Sequence, residues 1–256
     1  MDIATLPAIL LAALRLAGMF LTAPVLGHWA IPVRVRLMLS VVIALAVAPG
    51  AAKMSLPTGT ADLLLAGVME LMLGAAIGYA AGLVFAGLEM AGGYISQQIG
   101  IGLIEALNPL SDDQAGDSVR RLVQMLWIVI FLAIGGHRQL LSALLGSFEA
   151  APVVMAMPAG VLELVTNLLM TSFVLALKVA APVLITLLLV NVAIGVVQRT
   201  MPQLNTLSIG LPITALLGLL ALAGAVGMMM HLVQSAWTQC FISIDSMFTE
   251  SMLMKH

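Results

Sequence analysis

The sequence predicts an all-α, multi-pass integral membrane protein of about six apolar segments, including helical hairpins, with a C-terminal amphipathic helix. Three observations carry that prediction. The chain of 256 residues is 62% hydrophobic and only 9% charged, whereas a soluble domain carries about 25% charged residues. Its mean hydropathy is +1.14. Apolar runs recur along it at close to the roughly 20 residues that a helix needs to cross a bilayer. The net charge of −2 comes with no basic stripe of the kind a phosphate backbone requires. The single cysteine, Cys240, excludes an internal disulfide and a cysteine zinc cluster. Asp2 stands where a basic leader would begin and Arg15 interrupts the first apolar run, so a cleaved signal peptide is not expected.

Taken in order, Leu6 to Leu26 is long enough to span, with Arg15 in its middle and Pro24 near its end. Gly27 to Pro32 forms a short turn. Leu37 to Ala48 begins a second span, short unless Val33 and Val35 join it. Pro57 and Gly59 punctuate the loop from Lys53 to Asp62. The third span lies between Glu70 and Glu89, roughly 28 Å apart along a helix, which places the two carboxylates at opposite boundaries of the apolar layer. Ile95 to Leu107 is too short to span and reads as a return limb or re-entrant piece, tolerated only where protein covers its backbone.

Leu122 to Ile134 and Leu140 to Phe148 flank Gly135-Gly136-His137-Arg138 and form either a bent helix or a tight hairpin. Val161 to Val197 would be roughly 55 Å long as one helix, so it either projects beyond the membrane or breaks near Pro182, which removes a hydrogen bond. Leu211 to Val233 is the last span. In the tail, Trp237, Phe241, Ile244, Phe248 and Met252 share one helical face, and Ser235, Gln239, Ser243, Ser246 and Glu250 take the other. Asp245 and Glu250 replace the basic residues that anionic lipid selects, so this helix is expected to dock on a partner protein rather than on lipid.

Gly74, Gly78 and Gly82, with Gly67 earlier, form a smooth strip on one helical face. In lipid, where close packing rather than hydrophobicity joins helices, such a strip is a packing device. It is expected to be the face on which the chain assembles. Arg15 and Lys178 sit within apolar runs and, with Glu70 and Glu89, are the candidate buried charges. The cations either pair with a glutamate (Glu70, Glu89 or Glu163) or line an aqueous conduit.

Catalytic constellations are missing from the sequence: it holds no metalloprotease helix, Walker A loop or Rossmann fingerprint. Asp112, Asp113 and Asp117 read as a solvated acidic loop, and the four histidines lack ligand spacing. No catalytic residue, metal or cofactor is expected.

The order of the motifs resembles the FliR family, the R component of the flagellar type III export gate and the T component of the injectisome. Arg15, Pro24, Gly27, Pro32 and Arg34 match near the N-terminus; Glu70, Gly74 and Gly78 match the family's glycine helix. Gly92, Gln98, Gly100 and Pro109 match the segment leading into the loop, and Gly136-His137 resembles a Gly-His turn. Pro202-Gln203-Leu204-Asn205 with Gly210 and Pro212 resembles the most distinctive motif, Pro-Gln-x-Asn followed by Gly-x-Pro. The resemblance implies a single export-gate membrane domain in a bacterial inner membrane, at a flagellar or injectisome basal body. Its parts would be an N-terminal hairpin over 1–62, the glycine helix, return limb and plug loop over 63–121, further hairpins over 122–234 and the amphipathic tail over 235–256. The implied role is non-enzymatic. With P- and Q-type subunits the chain would form a pore for unfolded exported proteins, in contact with the B-type export-switch protein. The implied plug maps to Ile104 to Ser118, where Ile104, Leu107 and Leu110 are the apolar seals; flagellar relatives carry phenylalanines there, and this loop does not. The alternative reading is a small secondary membrane transporter, against which stands the lack of a two-fold internal repeat.

Overall fold

The computed structural model describes residues 6–24, 32–51, 59–100, 117–150, 160–200 and 210–253. Among these, every regular element is a helix: α1 (Leu6–Thr22), α2 (Val33–Ala51), α3 (Thr60–Ile99), α4 (Asp117–Ala133), α5 (Gly136–Ala150), α6 (Val161–Thr200) and α7 (Leu211–Leu253). The protein is an all-α membrane protein. Three of its helices (α3, α6 and α7) are long and apolar enough to cross a bilayer, or four spans form if α4 and α5 act as one across their short break. α1 is shorter, and α2 begins at Val33, so Val33 and Val35 do join the second apolar segment.

Three segments are more continuous than the apolar runs suggest. α3 is a single helix of 40 residues, and Gly92-Gly93 does not end it. Residues Ile95 to Ile99 of the expected return limb are its last turns. It stops at Gly100, whose φ of +85° is the left-handed conformation that ends helices and favours glycine. α6 likewise runs through Pro182 for 40 residues, about 60 Å. Its ends are matched to the helix dipole, with Glu163 in the first turn and Arg199 in the last. α7 continues from the last apolar span through the tail without interruption for 43 residues. Between α4 and α5 the break is Ile134-Gly135, with Gly135 at φ +70°.

The chain divides into two compact units, one of residues 1–84, 135–170 and 237–256, the other of 85–134 and 171–236. In the first, the core gathers Leu11, Leu16, Met19 and Phe20 of α1, Leu73 and Ile77 of α3, and Leu140 and Leu144 of α5. Trp237, Cys240, Ile244 and Phe248 of α7 are also buried there. This corrects the expectation for the tail. Its apolar stripe is spent inside the chain, with Trp237 stacked on Phe241 at 5.6 Å between ring centroids. The physical reason is that the α7 helix continues past Val233, and within the first unit its turns from Trp237 onward bury their apolar face. In the second unit, Leu88, Ile95 and Ile99 of α3 meet a core of Trp127 and Phe131 of α4, Val183 and Leu187 of α6, and Met229 and Val233 of α7. Trp127 donates its indole N–H to the Leu88 carbonyl at 3.1 Å, and Phe85 meets Phe131 edge-on at 5.2 Å.

At Gly74 and Gly78 of α3 the close approach that the glycine strip permits is made within the chain. A Cβ at Gly74 would overlap the backbone carbonyl of Arg15, and one at Gly78 would overlap the Thr22 hydroxyl and press on the Met19 carbonyl. A Cβ at Gly67 would come within 3.1 Å of the Leu14 side chain, and one at Gly82 would make only ordinary contact, 3.6 Å, with the Thr22 carbonyl. The strip therefore seats α1 of the same chain. It does so because α1 offers its own small residue, Gly18, whose Cβ would run into the Leu71 carbonyl. Later glycines serve other helices: a Cβ at Gly87 would overlap the Ser172 carbonyl of α6, and one at Gly92 would press on the Val123 side chain of α4.

Three substitutions separate close contact from mere helix-forming preference. Gly74→Leu meets backbone that cannot yield, and is expected to destabilise by at least the usual overpacking cost of about 1–3 kcal/mol. Gly93→Ala has open space and is expected to stabilise α3 by about 0.5–1 kcal/mol. Trp237→Ala is expected to cost about 3–5 kcal/mol in the chain itself, before any partner is present. Thermal unfolding of the purified chain in mild detergent reads all three.

Candidate functional site

Arg15 lies midway along α1 and is fully buried, at 0% exposure, in the first unit. Its guanidinium takes the Glu70 carboxylate side-on: Nε donates to Oε2 at 2.5 Å and Nη2 to Oε1 at 2.9 Å. Glu70, on α3, is itself only 1% exposed. The remaining nitrogen, Nη1, donates to the Ser147 carbonyl at 2.9 Å and to its Oγ at 3.0 Å. The Ser147 hydroxyl spends its own proton on the Leu144 carbonyl at 2.6 Å, which leaves its lone pairs facing Arg15. The ring of Phe148 closes the other side, 4.3 Å from the guanidinium carbon. Three helices, α1, α3 and α5, thus converge on one ion pair.

The arrangement follows from the glycine contacts. Arg15 gives its backbone to Gly74 and its side chain to Glu70, one turn earlier on the same face of α3. Without the close approach that Gly74 permits, the guanidinium would stand too far from Glu70 for a two-point bond. A bidentate pair with its other donors satisfied is the geometry in which a buried charge pair recovers its desolvation cost. With the donors of Arg15 turned to Glu70 and Ser147, the site ties one level of α1 to one level of α3 and of α5.

The other sequence candidates fall elsewhere. Glu70 is buried in the chain, paired with the counter-charge on α1. Glu89 is exposed, not buried, and accepts from Gln124 of α4 at 3.2 Å, because α4 leaves that face of α3 partly open. Lys178 is exposed on α6, not buried in the chain, since it lies to one side of the stripe of Leu175, Ala176, Val179 and Val183 that faces the core. Ile104, Leu107 and Leu110 lie outside the described residues, as do Pro202, Gln203 and Asn205. Gly210 is buried, with its carbonyl taking the Thr214 hydroxyl at 2.8 Å, and Pro212 sits in the first turn of α7, where its missing N–H costs nothing. Sequence reasoning missed Gly18, Ser147 and Phe148. Gly18 and Thr22 stand four apart, a small-xxx-small spacing that was open to notice; Ser147 and Phe148 gave no signal of their own.

A family model described as bacterial export proteins, family 1, matches residues 6–240 of the chain. The chain belongs to this family. The match runs from the start of α1 to Cys240 in α7, so it takes in both units and the Arg15 site. Among relatives, the flagellar biosynthetic protein FliR of Escherichia coli (strain K12) is 27% identical over 238 residues, covering 93% of this chain and 91% of the relative. FliR of Pectobacterium carotovorum subsp. carotovorum is 31% identical over 217 residues, 81% and 80% of the two chains. Yop proteins translocation protein T of Yersinia pestis is 34% identical over 167 residues, 63% of each. The motif-level resemblance to the FliR family and the whole-chain comparison agree. In this member of the export proteins, family 1, the matched sequence encodes a glycine track with an ion pair at its centre.

Breaking that pair by Glu70→Ala leaves a buried guanidinium without its counter-charge, and is expected to destabilise the chain by about 3–5 kcal/mol. Arg15→Met combined with Glu70→Leu removes both charges and is expected to recover most of that loss. Glu89→Ala, at an exposed position, is expected to stay within about 0.5 kcal/mol of the parent. Unfolding in detergent measures the set; a double substitution as damaging as the single one would show that the charges act through something other than each other.

Proposed function

We propose that the chain is the R-type, or in an injectisome the T-type, subunit of a type III protein export gate. It is a non-enzymatic component that joins P- and Q-type subunits in a bacterial inner membrane to form a pore for unfolded flagellar or effector proteins. The observation that carries this reading is the family match across residues 6–240, together with relatives named FliR that align over more than nine-tenths of both chains. The structure supports it in kind. Large apolar side chains stand exposed along α2 (Met38, Val42), α6 (Leu162, Leu189) and α7 (Leu216, Leu220), far more apolar surface than a self-contained fold would leave open. The charged and polar groups that do converge are spent on holding helices together, which suits a scaffold rather than a catalyst.

The plug belongs to the same proposal. A conduit wide enough for an unfolded chain leaks ions unless something fills it at rest, and a hydrophobic constriction excludes water. Ile104, Leu107 and Leu110, in the connection between α3 and α4, are the apolar residues we assign to that constriction.

Two experiments test the reading. Deleting the gene in its own host is expected to stop secretion of flagellar or effector substrates, and tagged chain co-expressed with P- and Q-type neighbours is expected to purify as a large complex. Normal secretion without it, or a chain that purifies alone, would overturn the export-gate reading. Removing residues 107–116 is expected to leave assembly intact and make the membrane permeable to small ions; a membrane as tight as the parent removes the plug role.

A further inference from the structure

A groove of about 570 Å³ runs between α5 and the tail of α7, within the first unit. Gln139, Ser142, Ala143 and Gly146 of α5 line one side, and Thr238, Phe241, Ile242 and Asp245 of α7 line the other. Each set falls at positions i, i+3, i+4 and i+7, which is one face of a helix over about 10.5 Å. Small residues hollow the α5 side, and a Cβ at Gly146 would stand in open space. On the α7 side Thr238 and Asp245 flank an apolar middle, where Ile242 is 62% exposed and Phe241 is half-buried against Trp237. The inner wall includes Ser147, whose carbonyl and hydroxyl hold Arg15, so the base of the groove is tied to the buried ion pair. A groove built on so fixed a base is preformed, and an occupant has little to order on entering it.

The chemistry of the lining narrows what can cover it. Among the described residues that line the groove, Asp245 is the one charged group, and there is no Lys, Arg or His. An anionic lipid headgroup would meet a carboxylate and no counter-charge. Hydrocarbon would bury the Gln139 amide, the Ser142 and Thr238 hydroxyls and the Asp245 carboxylate against an apolar phase. A cation carried on an apolar stem is the complement. The carboxylate draws its charge, the neighbouring oxygens accept its hydrogen bonds, and Phe241 and Ile242 cover its carbon chain.

We propose that this groove is the seat of a basic amphipathic helix of a neighbouring subunit, with a Lys or Arg placed at the level of Asp245. Two parallel stripes of helical spacing offer the shape in which one further helix is read by its side chains at i, i+3, i+4 and i+7. Small side chains of that helix would pass over Ala143 and Gly146, apolar ones would meet Phe241 and Ile242, and the cation would reach Asp245. This rests on the export-gate reading and adds to it the place and chemistry of one contact.

The test uses the full chain, tagged and co-expressed with its P-, Q- and B-type neighbours. It reads the amount of complex recovered in mild detergent relative to the amount of chain in the membrane. Gly146→Leu fills the groove from a position with room in the chain itself. Its membrane level and unfolding in detergent are expected to match the parent, while recovery of neighbours falls by about tenfold or more. Asp245→Glu keeps the charge and is expected to assemble at close to the parent level. Asp245→Lys, at an exposed position, opposes the partner's cation and is expected to lower recovery by at least about tenfold. A Lys or Arg changed to Glu in a neighbour, selected as a suppressor of Asp245→Lys, is expected to restore assembly and to identify the partner. If Gly146→Leu and Asp245→Lys both assemble like the parent, the groove is open to water or to lipid amines, and the inference fails while the export-gate reading stands. If only Gly146→Leu loses its neighbours, the occupant is not a cation and the inference fails in its chemistry. If the parent chain itself recovers no neighbours, both readings fail.

Discussion

The distance between α1 and α3 is the constraint on which the first unit depends. Helices approach this closely only where one of them has no Cβ, and here both make room: Gly74 and Gly78 on α3, Gly18 on α1. The approach has an electrostatic consequence. It brings the backbone of Arg15 onto α3 and so delivers its side chain to Glu70, and Ser147 and Phe148 of α5 then close around the pair. A cation in an apolar helix would ordinarily be a liability of several kcal/mol. Fully paired, it becomes a device that defines which turn of α1 faces which turn of α3, because a slide by one turn would strand both charges.

α3 is therefore less a membrane anchor with decorative glycines than a mast on which other helices are seated. In the first unit it receives α1 along Gly67, Gly74 and Gly78. In the second it receives α6 at Gly87 and α4 at Gly92. Each seat is a close approach that a methyl group would obstruct. Gly93, the next residue after the last of these contacts and open to space, is not a seat at all. Glycine spacing alone does not separate the two kinds; only the partner's backbone does.

With those seats filled from within, the surfaces left for neighbours are the long apolar faces of α2, α6 and α7. α6 is the extreme case. Beyond Leu187 it buries none of its residues in the chain, although it continues to Thr200. A helix of about 60 Å with so little self-contact is stable in isolation neither in water nor wholly in lipid.

Composition and periodicity by themselves determined that the chain is helical, apolar and bound to a membrane, because hydropathy and the 3.6-residue repeat are local properties. The family came from a different source, the resemblance of the ordered motifs to those of a known family, with which the match over residues 6–240 agrees. Arg15, Glu70 and the glycine strip were all legible as special positions, because charge and small size are conspicuous in an apolar sequence. Their relationships were not legible. The strip looked like a surface for another subunit, and the tail stripe like a docking helix. A one-dimensional pattern states that a face wants close or apolar company, but not whether that company lies in the same chain. Between the two alternatives the sequence left open for Val161 to Val197, the structure shows the uninterrupted helix, which runs through Pro182. The choice of Ser147 and Phe148 as partners of Arg15 belongs to tertiary structure alone. It joins residues 132 positions apart, and nothing local encodes such a distance.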